Sequence, residues 1–296
     1  MPSTRMAMRD DVSVEDDAAS GRRTPLLEVD DVRVAYPQRG FRRPDMEILH
    51  GVDLTVRPGE TMGLVGESGS GKTTLGRAIL GLTPVASGAV RFGGVDITRM
   101  PCRTRVARDI GVQAVFQDPY RSLNPSLRVG DLLAEPLRAK GMSKSDAFGR
   151  IGSLLSQVGL PPDTASRLPQ AFSGGQRQRI AIARALAVRP GLIICDEPVS
   201  GLDLATQATV LDLLVHLQDT LGVAYLFITH DLSVVRYISH RVSVMRGGEL
   251  VESGDCRTVT ENPRHPYTQR LLAASPVPDP DRQQRRRALF ESLPAS

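Results

Sequence analysis

Tryptophan is absent, and aromatic residues make up only 4% of the 296-residue chain. That scarcity argues against a stacking platform for single-stranded nucleic acid. The three cysteines, Cys102, Cys195 and Cys256, lie far apart with no C-x-x-C, which disfavours a disulfide framework or a zinc site and fits a reducing cytosol. No run approaches 18 consecutive apolar residues, so the chain is not expected to cross a membrane by itself. The first twenty residues lack an apolar core and carry acids, unlike a secretory signal. Charge of one sign is scarce too: 37 Lys+Arg against 33 Asp+Glu leaves a net +4. So small an excess is weak support for nucleic-acid binding, even at a pI near 9.2. What is present, 41% apolar and 24% charged residues, is ordinary for a globular protein, and the length suits one large domain with an appendage.

Residues 1–24 are polar and mixed in charge, and they are expected to be disordered. Order is expected from Leu26, where LLEVDDVRVAY alternates like a strand. DLTVRPGETMGLVGE follows as strand broken by a Pro58-Gly59 turn, and Gly71 to Leu82 as helix. AVRFGGVDI suggests short strands about a Gly93-Gly94 hairpin. Between about 118 and 190 three helical segments, separated by Pro- and Gly-rich turns, suggest an inserted helical subdomain. LIICDEP and VAYLFITH look like strands buried on both faces, separated by a helix, which argues for a parallel α/β sheet. Residues 257–296 form a Pro-rich extension, and its basic end, Arg282 to Arg287, is expected to be a solvated tail.

Gly66-Glu67-Ser68-Gly69-Ser70-Gly71-Lys72-Thr73-Thr74 matches G-x-x-x-x-G-K-[ST] between a strand and a helix. Its glycines let successive N–H groups point into one concavity that binds anionic oxygens, and the helix N-terminus adds positive potential. Lys72, one of three lysines, supplies a point charge for outer phosphates, and the Thr73 hydroxyl suits Mg²⁺. Asp196 and Glu197 end a buried strand, where ligands of open α/β sheets bind. Adjacent carboxylates point different ways, which suits Asp196 for Mg²⁺ and Glu197 as the base for an attacking water.

FSGGQRQR opens a helix with Ser173 as a natural N-cap, and Gly174 and Gly175 allow a second phosphate to approach. Together with the two sites above, this segment resembles the ATP-binding subunits of ABC transporters, from about Leu26 to Pro280. The resemblance implies a P-loop NTPase core with a parallel sheet, a small antiparallel β subdomain and the inserted helical subdomain, over residues 25–256. It makes Ser173-Gly174-Gly175-Gln176 the signature that binds the γ-phosphate held by another subunit. Gln117, in VFQDP, becomes the Q-loop residue that senses Mg²⁺, and Ser200 to Asp203 the loop crossing the dimer interface. His230, in FITHD, becomes the switch histidine, and Tyr36 the aromatic that stacks on adenine. Alone, each would have an ordinary structural role; their order and spacing carry the functional reading.

GLVGESGSGKTTLGRAILGL, VFQDPYRSLNPSLRVGD and the tail ENPRHPYTQRLLAASPVPDP are similar to the oligopeptide/dipeptide importer group, closest to its second ("F-type") ATP-binding subunit. Gly201 and Ser70 depart from the commonest pattern without removing a ligating group. The resemblance implies ATP and Mg²⁺ as ligands, and import of peptides, with nickel or glutathione as alternatives. It implies two permease subunits, a solute-binding protein and a second ATP-binding subunit in a heterodimer, at the cytoplasmic face of the membrane. The tail from Asn262 to Pro280 is expected as a docked arm that adds contact between the two ATP-binding subunits. No cysteine follows Cys256, so no iron–sulfur cluster is expected. A soluble ABC ATPase acting on ribosomes or DNA is the competing class. One motif set and no sustained heptads argue against it, and no nucleic-acid partner is expected.

Overall fold

The computed structural model describes residues 24–37, 45–118 and 122–274. The segment before residue 24 and the basic run at 282–287 lie outside these described residues. An antiparallel sheet in the order β2-β1-β4-β5 comprises β1 (Leu27–Tyr36), β2 (Met46–Val56), β4 (Ser87–Phe92) and β5 (Val95–Asp96). Leu27 and Val29 face inward at odd positions, Val32 and Val34 at even ones, and all four are buried. A register shift between Val29 and Val32, with Asp31 at φ 43°, inserts the extra residue that keeps both pairs on one face. Gly93 and Gly94, at φ 54° and 77°, make the tight turn between β4 and β5.

The second sheet has the order β10-β9-β3-β8-β7-β6. Its centre is β3 (Thr61–Val65), β8 (Ala224–Thr229) and β7 (Leu192–Asp196), parallel and almost wholly buried, as the apolar runs predict. The Pro58-Gly59 turn sends β2 and β3 into different sheets. One edge is β6 (Val112–Phe116), parallel to β7. The other is β9 (Arg241–Arg246), parallel to β3, then β10 (Glu249–Asp255), antiparallel to β9. The edge strands β6 and β10 are half-buried and β9, between β10 and β3, is buried but short, and all three went unrecognised among the apolar runs.

Helix α1 (Lys72–Leu80) follows β3, and α2 (Cys102–Ala107) precedes β6. Between β6 and β7 lie α3 (Val129–Ala139), α4 (Lys144–Gln157) and α5 (Gly174–Leu186). Leu132, Leu133, Ile151, Leu155 and Ile180 of these helices share one core cluster with Ile193 and Phe227 of the sheet. Each such buried aliphatic side chain stabilises the fold by about 1.5–3 kcal/mol. α5 packs the helical insertion onto β6, the strand beside the one that carries the acid pair. α6 (Leu204–Leu221) and α7 (Leu232–Ile238) flank β8. The chain after Asp255 forms α8 (Cys256–Glu261) and α9 (Pro266–Ala274). Through Ala274 the tail expected as an arm folds back on its own chain. Cys256, Val259, Tyr267 and Leu272 pack against Val65, Val235, Val242 and Val244.

Candidate functional site

The parallel register pairs Val65 with Thr229, Ile228 with Asp196, and Asp196 with Phe116. The C-terminal ends of β3, β8, β7 and β6 therefore lie along one sheet edge, where ligands of open α/β sheets bind. Gly66, His230, Glu197 and Gln117 are the residues at or just past those ends.

After Gly66 the loop turns through Gly69 at φ 81° and Gly71 at φ 106°, left-handed conformations that glycine adopts without steric cost. α1 then begins with no side-chain cap and no acidic residue in its first turn. Its first N–H groups have no intrahelical acceptor, and its positive end is uncompensated, so the loop is built to receive an anion. Lys72 is only 6% exposed, and its ammonium donates to the carbonyls of Gly66 (2.8 Å) and Glu67 (2.7 Å) and to Ser70 Oγ (3.3 Å). Burial lowers its pKa, against the opposing pull of Glu197, Asp196 and Glu67. Glu67 and Ser68 are exposed, and Thr74 sits half-buried in the first turn of α1. The loop is braced from outside by the β9–β10 hairpin: Gly248 donates its N–H to the Ser70 carbonyl at 2.9 Å. That brace was missed in the sequence, although Gly247-Gly248 between two short apolar-polar runs is a hairpin signal.

Thr73 Oγ1 donates to Asp196 Oδ1 at 3.1 Å. Burial raises the Asp196 pKa; the Thr73 hydrogen bond opposes the shift, and the neighbouring Glu197 charge adds to it. Glu197 takes φ 50°, an uncommon conformation for a side-chain-bearing residue that tends to cluster at functional sites, and its N–H donates to Ile228 O at 2.9 Å. The two carboxylates thus turn to different partners. Glu197 Oε1 lies 3.0 Å from His230 Nδ1, a hydrogen bond whose donor is set by the imidazole tautomer. Thr73 and Asp196 present hard oxygen donors that fit Mg²⁺. Among the described residues no group of three His, Cys, Asp or Glu could cage a metal, so waters and substrate phosphates would complete the shell, as Mg²⁺ accepts.

Gln117 is exposed just past β6, beside the acid pair. Tyr36 ends β1, is 39% exposed and has its hydroxyl 3.4 Å from Thr83 Oγ1. Ser173 caps α5 in a reciprocal box: its Oγ accepts from the Gln176 N–H (3.3 Å) and its N–H donates to Gln176 Oε1 (3.0 Å). Asp203 caps α6 through the Thr206 N–H (3.0 Å) and hydroxyl (2.7 Å), and these two bonds lower its pKa. Gly174 and Gly175 pack on this loop: a Cβ at Gly175 would meet Thr206 Cγ2 at 2.2 Å, and one at Gly174 would meet Leu202 Cδ2 at 3.3 Å. Among the described residues, no hydrogen bond links Ser173–Gln176 to the phosphate loop of the same chain.

Residues 251–295 match the family described as "Oligopeptide/dipeptide transporter, C-terminal region". The chain is similar to the glutathione import ATP-binding protein GsiA of Escherichia coli K12, with 48% identity over 279 residues, 92% of this chain and 45% of that protein. GsiA of Salmonella typhimurium LT2 is 46% identical over 278 residues, with the same coverage. The chain thus spans less than half the length of these curated relatives. Among solved structures, cbiO1 from Clostridium perfringens, part of the ABC transporter complex cbiONQ, aligns with TM-score 0.70 at 25% identity, over 80% of this chain and 91% of that one. The ATP-binding cassette MJ0796, solved as a dimer bound to ADP and Pi, aligns with TM-score 0.68 at 29% identity, over 78% and 99%. Residues 49–200, half of the chain, match the ABC transporter family itself, and with this fold and loop geometry the chain belongs to that family.

Proposed function

We propose that this chain is an ATP-hydrolysing subunit that powers a membrane importer of the oligopeptide/dipeptide group. The observation that carries the reading is the convergence at one sheet edge of the uncapped α1 N-terminus, the desolvated Lys72 ammonium, the Thr73–Asp196 pair and the Glu197–His230 pair. The loop N–H groups and Lys72 bind the phosphates, the lysine exchanging its carbonyl acceptors for phosphate oxygens. Mg²⁺, when bound beside Thr73 and Asp196, supplies charge against the phosphate oxygens. Glu197 orients a water and takes its proton, and His230 holds the carboxylate in place. Gln117, exposed just past β6, is assigned to the metal side of the site, and Tyr36 to the adenine.

Among the described residues the SGGQ helix start, Ser173 to Gln176, makes no hydrogen bond to the chain's own phosphate loop, which is consistent with a second ATP-binding subunit whose site it completes, with Asp203 at the interface. We assign two permeases and a solute-binding protein as further partners, at the cytoplasmic face of the membrane. In this division, residues 25–256 are the nucleotide-binding domain and 257–296 its extension. The C-terminal region match and the glutathione importers support small peptides, glutathione included, as the solute. Replacing Glu197 with Gln preserves shape and removes the base. E197Q is expected to keep the melting-temperature rise with Mg-ATP and to lose phosphate release. Release at near the parental rate would reject the base assignment, and a parent unaffected by Mg-ATP would reject the function.

A further inference from the structure

We propose that Tyr267 is a positioning residue of the nucleotide site, whose hydroxyl holds one peptide unit of the phosphate loop in its binding orientation. The inference deepens the nucleotide-binding reading above and rests on it. Tyr267 lies on α9, 200 positions from the loop, yet its hydroxyl oxygen accepts the Glu67 N–H at 3.2 Å. The residue is 5% exposed and packs with Val65, Val244 and Leu272. A tyrosine hydroxyl buried in such a cluster needs a polar partner, and here that partner is loop backbone.

The Gly66 carbonyl and the Glu67 N–H are the two ends of one planar peptide unit, and in a trans peptide they point to opposite sides. The carbonyl accepts from Lys72 Nζ at 2.8 Å on the inner side, while the N–H donates to Tyr267 on the outer side. Rotating this unit breaks both bonds. Once Lys72 turns to phosphate oxygens, the inner restraint is lost and Tyr267 remains as the restraint on the outer side. The ring is itself held: the Arg246 guanidinium lies 5.1 Å from its centroid, a cation–π contact from the end of β9. The start of α9 is pinned from β10, because Glu252 accepts the N–H groups of Arg264 (2.8 Å) and His265 (3.1 Å). Docking of the C-terminal helix is thereby coupled to the shape of the phosphate loop.

The test uses the full chain and the variant Y267F, which keeps the ring, its packing and the Arg246 contact and removes only the oxygen. Mg-ATP affinity is measured by calorimetry, and exchange of the Glu67 amide by hydrogen–deuterium exchange without nucleotide. Expected are about 2- to 10-fold weaker binding, the range a single hydrogen bond produces, and faster exchange at Glu67. V259A, which loosens the same cluster from α8 and leaves the Tyr267 hydroxyl in place, is expected to leave both at parental values. Y267F with parental affinity and parental Glu67 exchange would overturn the proposal. So would V259A weakening binding as much as Y267F, since packing would then explain both. A parent that binds no Mg-ATP would instead overturn the nucleotide-binding reading, while the exchange measurement would still judge the Tyr267–Glu67 contact.

Discussion

Gly175 is the point where the start of α5 touches the cap of α6, and an alanine there measures how tightly the two are joined. Its Cβ would sit 2.2 Å from Thr206 Cγ2, far inside contact distance, with Thr206 Cβ at 3.7 Å and Oγ1 at 4.0 Å. Thr206 cannot rotate away freely, because its hydroxyl is bonded to Asp203 at 2.7 Å. Overpacking of this kind costs roughly 1–3 kcal/mol, and alanine recovers up to about 1 kcal/mol of helix propensity over glycine. The net expectation for G175A is a loss of about 1–2 kcal/mol. At roughly 2–4 °C per kcal/mol for a chain of this size, the nucleotide-free melting temperature falls by about 2–8 °C. T206S deletes the clashing methyl and keeps the hydroxyl, at a cost below about 0.8 kcal/mol. In the double variant the alanine Cβ occupies the space the methyl leaves. Its stability should return to within about 0.5 kcal/mol of T206S alone, a coupling well outside the additivity of independent sites. Thermal and urea unfolding of the four proteins provide the measurement. Additive effects, or a G175A chain as stable as its parent, would refute the contact and with it the joining of the α5 start to the Asp203 cap.

Replacing Lys72 with Ala removes a desolvated ammonium and the point charge for phosphate. We expect near-parental melting without nucleotide and no rise with Mg-ATP, whereas the parent at 100 times its Kd gains about 2.7 kcal/mol; equal rises would contradict the assignment. Asp196 has its pKa raised, chiefly by burial, so between the ordinary carboxylate value and its folded value the native chain holds a proton that the unfolded chain lacks. Native stability therefore declines as pH rises through that window. Asp196→Asn, free of this cost, should melt above the parent at neutral pH, the difference vanishing as pH falls below the ordinary carboxylate range. Melting curves across pH that run parallel for the two proteins would sink this reading.

The chemistry of the phosphate loop was legible in the sequence because it is local. Glycines at 66, 69 and 71 followed by Lys72 and Thr73 specify a left-handed loop and a helix start within nine residues, whatever surrounds them. The capping box at Ser173 and the buried run before Asp196 are local for the same reason: helix and strand periodicity act over a few residues. Tertiary structure alone decided which of these groups meet. The strand order β3-β8-β7-β6 and its register bring Thr73 to Asp196 across 123 positions and His230 to Glu197 across 33, and no spacing rule encodes strand order. The left-handed turn at Glu197 that separates the two carboxylates is imposed by its bond to Ile228, a residue of another strand. The half-buried edge strands β6 and β10 carry too weak an alternation to be read without their neighbours, and the buried β9 beside β10 is too short. The bond from Tyr267 to Glu67, and the return of the Pro-rich tail onto its own core, depend on packing that only the folded chain brings about.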